Sequence, residues 1–170
     1  ILAIEPALKD RTLVVNGVSK TYAMTGWRIG YAAGPTDLIG AMATLQSQST
    51  SNACSVSQAA AVEALNGDQS FVQQSVRVYQ QRRDRCLELL NAIPGLYTPV
   101  PDGAFYCMVD AGPLMARFGD DEALCLHLLE NGVAVVPASA FGGCDGFRIS
   151  FAADEARLEQ ALSRIAKAVA

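Results

Sequence analysis

The chain has 170 residues, of which 51% are hydrophobic and 18% are charged, and its formal net charge is −4. This length and composition are typical of a globular protein with a sizeable core, and they exclude a disordered chain. The sequence has no run rich in Lys and Arg and no apolar stretch long enough to cross a bilayer, so neither nucleic-acid binding nor a membrane span is indicated.

The first part of the chain is predicted to form two strands followed by two helices. Residues 13–16 and 27–33 are apolar runs bounded by turn-forming residues, as is typical of buried strands. A helix is predicted over residues 35–46, because Pro35 suits the first helical turn and Asp37 suits its positive end. A second helix is predicted over residues 56–65, where an Asn-Gly pair follows as a stop signal.

A long amphipathic helix is predicted over residues 69–92. Most of its arginines lie off the apolar side, which indicates a basic, solvated outer face. The helix is expected to end at Pro94 and Gly95. Its apolar stripe consists of Val72, Val76, Tyr79, Cys86 and Leu90.

The remaining residues are predicted to alternate short strands with helices. Asp120 or Asp121 is expected to cap a helix that ends at residues 131–132, and Asp154 is expected to cap a final helix. Extended segments are predicted around residue 97 and over residues 104–109, 133–136 and 147–151. The final helix has one apolar face, formed by Leu158, Leu162, Ile165 and Val169. This order predicts an α/β or α+β domain with helices covering a sheet.

The five cysteines, at positions 54, 86, 107, 125 and 144, show no paired spacing. Neither a disulfide framework nor a zinc site is therefore indicated. We expect buried or half-buried thiols in a reducing compartment, the cytoplasm.

The most informative segment covers residues 16–31. Lys20 follows the first predicted strand, and Arg28 opens the second. If the strands are neighbours, both cations lie at one edge of the sheet, where together they would attract an anion. Each positive charge also disfavours the charged form of the other group and so lowers the pKa of the lysine. A neutral lysine is what Schiff-base chemistry needs, and the planar donors of an arginine suit a phosphate. Two surface cations flanking a turn would have the same spacing, and spacing alone favours this plainer interpretation.

The sequence SKTYAMTGWRIGY, residues 19–31, resembles the signature of the cofactor-binding lysine in class I/II aminotransferases. These are pyridoxal-phosphate (PLP) dependent enzymes of fold type I, in the aspartate aminotransferase superfamily. The resemblance implies that Lys20 holds PLP as a Schiff base and moves the proton of the substrate α-carbon. It implies that Arg28 binds the PLP phosphate, with Ser19 as a further cofactor contact. Gly17 stands where many members carry a phosphate-binding serine.

A second match is GFRISFA, residues 146–152, which resembles the family strand whose arginine binds the substrate α-carboxylate. The resemblance implies that Arg148 forms a bidentate pair with that carboxylate and so orients the substrate. An unpaired charge within an apolar strand would be costly, which suits such a role. The alternative is an ordinary strand arginine with its tip in solvent.

Two further segments are close to family patterns. They are PDGAFY, residues 101–106, and GVAVVPASAFG, residues 132–142, where Ala138 stands at a position more often occupied by Gly. We interpret both mainly as architecture. The four matches occur in the family's order and cover nearly the whole chain from Arg11 onward.

The resemblance implies an α/β fold of fold type I divided into two parts. Residues 1–50 would be the C-terminal part of the large PLP-binding domain, and residues 51–170 would be the small C-terminal domain with the connecting long helix. The family's aspartate that pairs with the pyridine nitrogen would lie before residue 1, and the chain has no initiator Met. We therefore expect a C-terminal fragment of a homodimeric enzyme that is inactive by itself.

Three functions are compatible with these motifs. The segment AMTGWRIGY, residues 23–31, is most similar to the aspartate/prephenate branch of the aminotransferase family. This similarity implies transfer of an amino group from aspartate to a 2-oxo acid. A PLP lyase on the same fold would use the same Lys20 and Arg28, and only its products would differ. The third possibility is an aminotransferase-like sensor domain of a transcriptional regulator, although these residues include no helix-turn-helix region.

Overall fold

The structure is a computed structural model that describes residues 3–143 and 145–170. It contains two compact units, of which the first ends at Gln74 and the second spans Ser75–Ala170. Each unit has a buried core of its own. The predicted domain boundary at residue 50 stays a prediction, because the division between the compact units falls inside the long helix.

The first unit combines a two-stranded antiparallel sheet with helices. A 3-10 helix, Pro6–Arg11, precedes strand β1, Val14–Gly17, and a second 3-10 helix, Thr25–Trp27, precedes strand β2, Gly30–Ala33. Two helices follow, α1, Thr36–Ser49, and α2, Ser55–Asn66. The long helix α3, Ser70–Asn91, begins in this unit.

Strands β1 and β2 pair closely at their glycine end. Gly17 is opposite Gly30, and a Cβ added at Gly30 would lie 3.1 Å from the carbonyl oxygen of Asn16. The first predicted strand is confirmed with a shift of one residue. The second is wrong over its first three residues, because Trp27 ends a 3-10 helix and Arg28 has left-handed backbone angles that a strand cannot contain.

The predicted helices over residues 35–46, 56–65 and 69–92 are confirmed as α1, α2 and α3, with ends that differ by one to three residues. Helix α1 contains no buried residue, and Leu38, Met42 and Leu45 are exposed on it. No helix within the described residues is both long enough and apolar enough to cross a membrane.

The second unit contains a three-stranded antiparallel sheet in the order β3–β5–β4. Strand β3, Tyr106–Asp110, is followed by a 3-10 helix, Gly112–Leu114, a short helix α4, Met115–Phe118, and helix α5, Asp121–Glu130. Strand β4, Val136–Pro137, leads into a 3-10 helix, Ala138–Phe141. Strand β5, Gly146–Ser150, and helix α6, Glu155–Val169, complete the unit.

One face of this sheet is covered by helices. Cys107 and Val109 of β3 and Phe147 and Ile149 of β5 are buried with apolar residues of α3, α5 and α6. Side chains alternate between the faces of a strand, so Arg148, between Phe147 and Ile149, lies on the opposite face. The predicted apolar stripe of the last helix is confirmed, since all four of its residues are buried.

Both aspartate caps are confirmed at the starts of α5 and α6. The carboxylate of Asp120 accepts a hydrogen bond from the backbone N–H of Ala123 at 2.7 Å, and that of Asp154 accepts one from Arg157 at 3.0 Å. The predicted strand over residues 133–136 is wrong except at its last residue. The N–H of Val133 instead donates to the carbonyl oxygen of Leu128 and so completes the end of α5.

The cysteines only partly follow the expectation from the sequence. Cys86, Cys107 and Cys125 are buried, whereas Cys54 is exposed and Cys144 lies outside the described residues. A hydrogen bond with Cys107, together with burial, raises the pKa of the Cys86 thiol. Burial also raises the pKa of Cys125, to about 11. The thiols of Cys86 and Cys125 are therefore poor nucleophiles at neutral pH.

Gly146 has no room for a side chain. A Cβ at this buried position would overlap the carbonyl oxygen of Val109 on the neighbouring strand. We expect Gly146→Ala to force β3 and β5 apart and to lower the free energy of unfolding by about 2–3 kcal/mol, as overpacking does. Urea denaturation followed by circular dichroism measures this loss.

The matched control is Gly103→Ala in the turn before β3. No atom lies within 4 Å of a Cβ at that position. We expect this variant to change the free energy of unfolding by less than about 0.5 kcal/mol. Equal losses in the two variants would show that close strand approach is not the cause.

Candidate functional site

Lys20 lies in the turn that follows β1. The N–H of Tyr22 donates to the carbonyl oxygen of Val18, and the N–H of Ala23 donates to that of Lys20, both at 3.2 Å. Val18 is fully buried, so the turn is fixed to the core of the first unit immediately before the lysine. Lys20 itself is exposed.

Arg28 lies at the other end of the same loop. Its backbone is left-handed, with φ 50° and ψ 51°, at the point where the short 3-10 helix ends. The side chain folds back, and Nη1 donates to the carbonyl oxygen of Thr25 at 2.9 Å. The expectation that Arg28 opens a strand is therefore wrong, because this residue precedes β2 in a conformation that costs on the order of 1 kcal/mol for a residue with a side chain.

The structure brings Lys20 and Arg28 onto one loop. Residues 18–29 leave the sheet after Gly17 and return to it at Gly30, and these two glycines are paired partners in the ladder. The condition stated for the sequence, that the two strands are neighbours, is thus met. The loop presents an amine and a guanidinium, and Arg28 is exposed, as Lys20 is.

Ser19 is half-buried beside the lysine. Its hydroxyl group forms no hydrogen bond with another described residue. Its role as a cofactor contact stays a prediction.

Tyr22 anchors this loop to the helical part of the first unit. Its hydroxyl group donates to Oε1 of Gln69 at 3.0 Å. The amide nitrogen of Gln69 in turn donates to the carbonyl oxygens of Ala64 and Gly67, at 3.0 and 2.8 Å. A glutamine at the junction of α2 and α3 therefore ties the lysine loop to both helices.

Arg148, in the second unit, is the central residue of β5. Its cross-strand partners are Met108 of β3 and Val136 of β4, so it lies on the face of the sheet that the helices leave uncovered. The residue is half-buried. The strand predicted for Arg148 is confirmed.

Two aromatic rings enclose the Arg148 guanidinium. Its Cζ lies 4.2 Å from the ring centroid of Tyr106 and 4.0 Å from that of Phe141. A cation–π contact uses no N–H group as a hydrogen-bond donor, so the N–H groups of Arg148 stay available for a ligand. Within residues 3–143 and 145–170, Arg148 forms no hydrogen bond or ion pair. This geometry suits an arginine that is to bind a carboxylate.

The two rings come from the segments that the sequence analysis interpreted as architecture. Tyr106 closes the PDGAFY segment, and Phe141 lies near the end of the GVAVVPASAFG segment. Their role was missed, because a sequence does not state that β3 and β5 pair. The alternation along β3 places Tyr106 and Met108 on one face, but only the structure shows that Met108 is opposite Arg148.

The chain matches the family model described as aminotransferase class I and II over residues 2–165. It belongs to this family. The recognition made from the lysine signature is therefore confirmed.

Curated relatives and solved structures agree with this family. The chain is 54% identical over 173 residues to an aspartate aminotransferase of Rhizobium meliloti, covering 97% of the chain and 42% of that relative. It is 52% identical to an aspartate/prephenate aminotransferase of Cereibacter sphaeroides, covering 95% of the chain and 42% of that protein. The crystal structure of the aspartate aminotransferase from Rhizobium meliloti superposes with a TM-score of 0.93 at 52% identity, covering 99% of the chain and 44% of the structure.

These matches confirm the predicted α/β fold of fold type I. The chain spans less than half the length of the relatives named above. Lys20 and Arg28 belong to the first compact unit, and Arg148 belongs to the second.

Tyr22→Phe removes the hydroxyl group that anchors the lysine loop. A part-buried hydrogen bond contributes about 1 kcal/mol, so we expect this variant to open the loop more often. Hydrogen–deuterium exchange should become faster over residues 18–29. The matched control is Tyr31→Phe, since the exposed Tyr31 hydroxyl group has no partner among the described residues. Equal exchange in the two variants would rule out the anchoring role.

Proposed function

We propose that this chain forms part of a PLP-dependent aminotransferase that moves the amino group of aspartate to a 2-oxo acid. The observation that carries the proposal is the loop of residues 18–29, which presents Lys20 and Arg28 between paired strands. The names of the relatives support aspartate as the amino donor. Because the chain spans 42% of their length, we propose that it acts within a longer, homodimeric cytoplasmic enzyme.

The residues of the loop fit this cofactor by their chemistry. The amine of Lys20 can bond to the aldehyde carbon of PLP, and the guanidinium of Arg28 can pair with its phosphate. The hydroxyl group of Ser19 is a further candidate contact. When bound, PLP supplies an electron sink that makes the α-hydrogen of an amino acid acidic.

Once the amino group of the substrate has replaced Lys20 on the cofactor, the released amine of Lys20 would act as the general base. Its Nζ removes the proton from the substrate α-carbon, and the same atom returns a proton there in the opposite half-reaction. A base on a short loop between two hydrogen-bonded strands has little freedom to move away from the substrate.

Arg148 would orient the substrate. The two N–H groups on the open edge of its guanidinium can form parallel hydrogen bonds to both oxygens of the α-carboxylate. The rings of Tyr106 and Phe141 restrict tilting of the guanidinium plane, so the bound carboxylate and the adjacent Cα–H bond acquire a fixed direction. Every amino acid carries this carboxylate, and therefore Arg148 selects the class of substrate rather than its side chain.

The first test locates the cofactor linkage. A polypeptide of the relatives' length that contains this chain is loaded with PLP and reduced with borohydride, which fixes the cofactor to the lysine that holds it. We expect mass spectrometry to find the added mass on the peptide that contains Lys20. Lys20→Ala should lose this label and all transaminase activity, whereas Lys9→Ala should keep both. A label that persists in Lys20→Ala would contradict the assignment.

The second test concerns substrate binding. Arg148→Lys keeps the charge but loses the planar pair of donors. We expect kcat/KM for aspartate to fall by about 10- to 100-fold, because a loss of this size corresponds to the loss of one or two charge-assisted hydrogen bonds in the transition state. Coupled transfer to 2-oxoglutarate measures the rate, and product analysis distinguishes transamination from lyase chemistry.

The control for this test is Arg157→Lys, at an exposed arginine of α6 in the same unit. It should leave kcat/KM unchanged. The 170 residues by themselves serve as a negative control, for which we expect no useful turnover. A normal kcat/KM in Arg148→Lys would exclude Arg148 as the carboxylate ligand.

A further inference from the structure

Asp121 is a buried carboxylate that neither the helix caps nor the proposed chemistry explains. It is the first residue of α5 and only 7% exposed, while the N-cap of that helix is Asp120. Carboxylates are rarely buried without a partner that compensates for lost hydration. Asp121 forms no ion pair with any residue that the structure describes.

The partners of Asp121 lie on a distant segment of the chain. Its Oδ2 accepts a hydrogen bond from the backbone N–H of Ser139 at 2.7 Å, and its Oδ1 accepts one from the Ser139 hydroxyl group at 3.1 Å. Both oxygens of the carboxylate thus bind a single residue. The N-terminus of α5 adds a favourable electrostatic environment for the charge.

Ser139 belongs to the short 3-10 helix that carries Phe141. This helix covers Ala138–Phe141, and Ala138 is buried at its start. The N–H of Gly142 donates to the carbonyl oxygen of Ser139 at 3.2 Å, and the N–H of Gly143 donates to that of Ala138 at 3.1 Å. A helix of one turn has few internal bonds, so an external bond at Ser139 determines where Phe141 lies.

The two rings around Arg148 are supported differently. Tyr106 belongs to β3, which pairs with β5 over five residues, and the sheet ladder therefore positions this ring. Phe141 lies outside the sheet, on the 3-10 helix that follows the two-residue strand β4. The Phe141 ring is thus the one whose position depends on the hydrogen bonds to Asp121.

We propose that Asp121 is a positioning residue for substrate binding by Arg148, an inference that rests on the proposed function. The Asp121 carboxylate positions Ser139, the 3-10 helix from Ser139 carries Phe141, and the ring of Phe141 limits the orientation of the Arg148 guanidinium. Asp121 itself touches no substrate. Its effect reaches the carboxylate-binding edge of Arg148 through packing.

The test compares Asp121→Ala with Asp121→Asn in the complete PLP-loaded enzyme. Alanine removes both acceptors, whereas asparagine keeps an oxygen for the Ser139 N–H and can donate from its amide to the Ser139 hydroxyl oxygen. We expect Asp121→Ala to raise KM for aspartate by about three- to tenfold, because this change corresponds to the free energy of one cation–π contact. The effect on kcat should be smaller. Asp121→Asn should restore the KM of the unsubstituted enzyme.

A double-mutant cycle with Phe141→Leu tests the route of the effect. Phe141→Leu should raise KM as Asp121→Ala does, and the double variant should show little further increase, because both changes remove the same ring contact. If Asp121→Ala fails to fold, Ser139→Ala, which removes the hydroxyl donor to Oδ1, takes its place in the cycle. Additive effects, or an Asp121→Asn variant that behaves as Asp121→Ala does, would overturn the proposal.

A spectroscopic readout separates this inference from the proposed function. Two aromatic rings lie 4.0 and 4.2 Å from the guanidinium, so their ring currents should shift the Nε–Hε signal of Arg148 in the NMR spectrum of nitrogen-labelled protein. The signal is assigned to Arg148 because it disappears from the spectrum of Arg148→Lys. This signal should move in Asp121→Ala and remain in place in Asp121→Asn. A signal unchanged in Asp121→Ala would refute the positioning role. An unsubstituted enzyme without transaminase activity would refute the proposed function alone.

Discussion

The guanidinium of Arg148 must be held in place without use of the N–H groups that would bind a ligand. The second unit meets this requirement with two aromatic rings, whose centroids lie 4.2 and 4.0 Å from the Cζ of Arg148. Three separate segments are needed for this arrangement: one strand carries the arginine, a second carries Tyr106, and a one-turn helix carries Phe141. The fully apolar opposite face of β5 makes the strand rigid enough to serve as the base.

The first unit uses backbone geometry where the second uses side-chain packing. A glycine pair closes the loop that carries Lys20 and Arg28, and Tyr22 ties this loop to the helices through Gln69. Both reactive side chains are exposed, so their positions depend on the backbone that supports them. The two units thus support the cations proposed for the site by different physical means.

Local signals in the sequence predicted most of the elements, and the resemblance of its motifs to the family implied the four residues proposed for the site, Lys20, Arg28, Ser19 and Arg148. Helix ends followed from caps and stop residues such as Asp154, and the strand position of Arg148 followed from its apolar neighbours. The left-handed backbone of Arg28 ends a one-turn helix that no signal in the sequence marked. The hydrogen bonds between Asp121 and Ser139 join segments that meet only in the folded chain. No periodicity in the sequence carries that information.

The left-handed backbone of Arg28 has an evolutionary consequence. Glycine adopts this conformation without strain, and asparagine adopts it more readily than arginine does. Selection for stability alone would therefore replace arginine at this position, and substitution would even strengthen the fold. Under the proposed function, an arginine at this position exchanges stability for a contact with the cofactor phosphate. A relative that had lost its catalytic role while keeping its fold should drift first at this position, towards glycine.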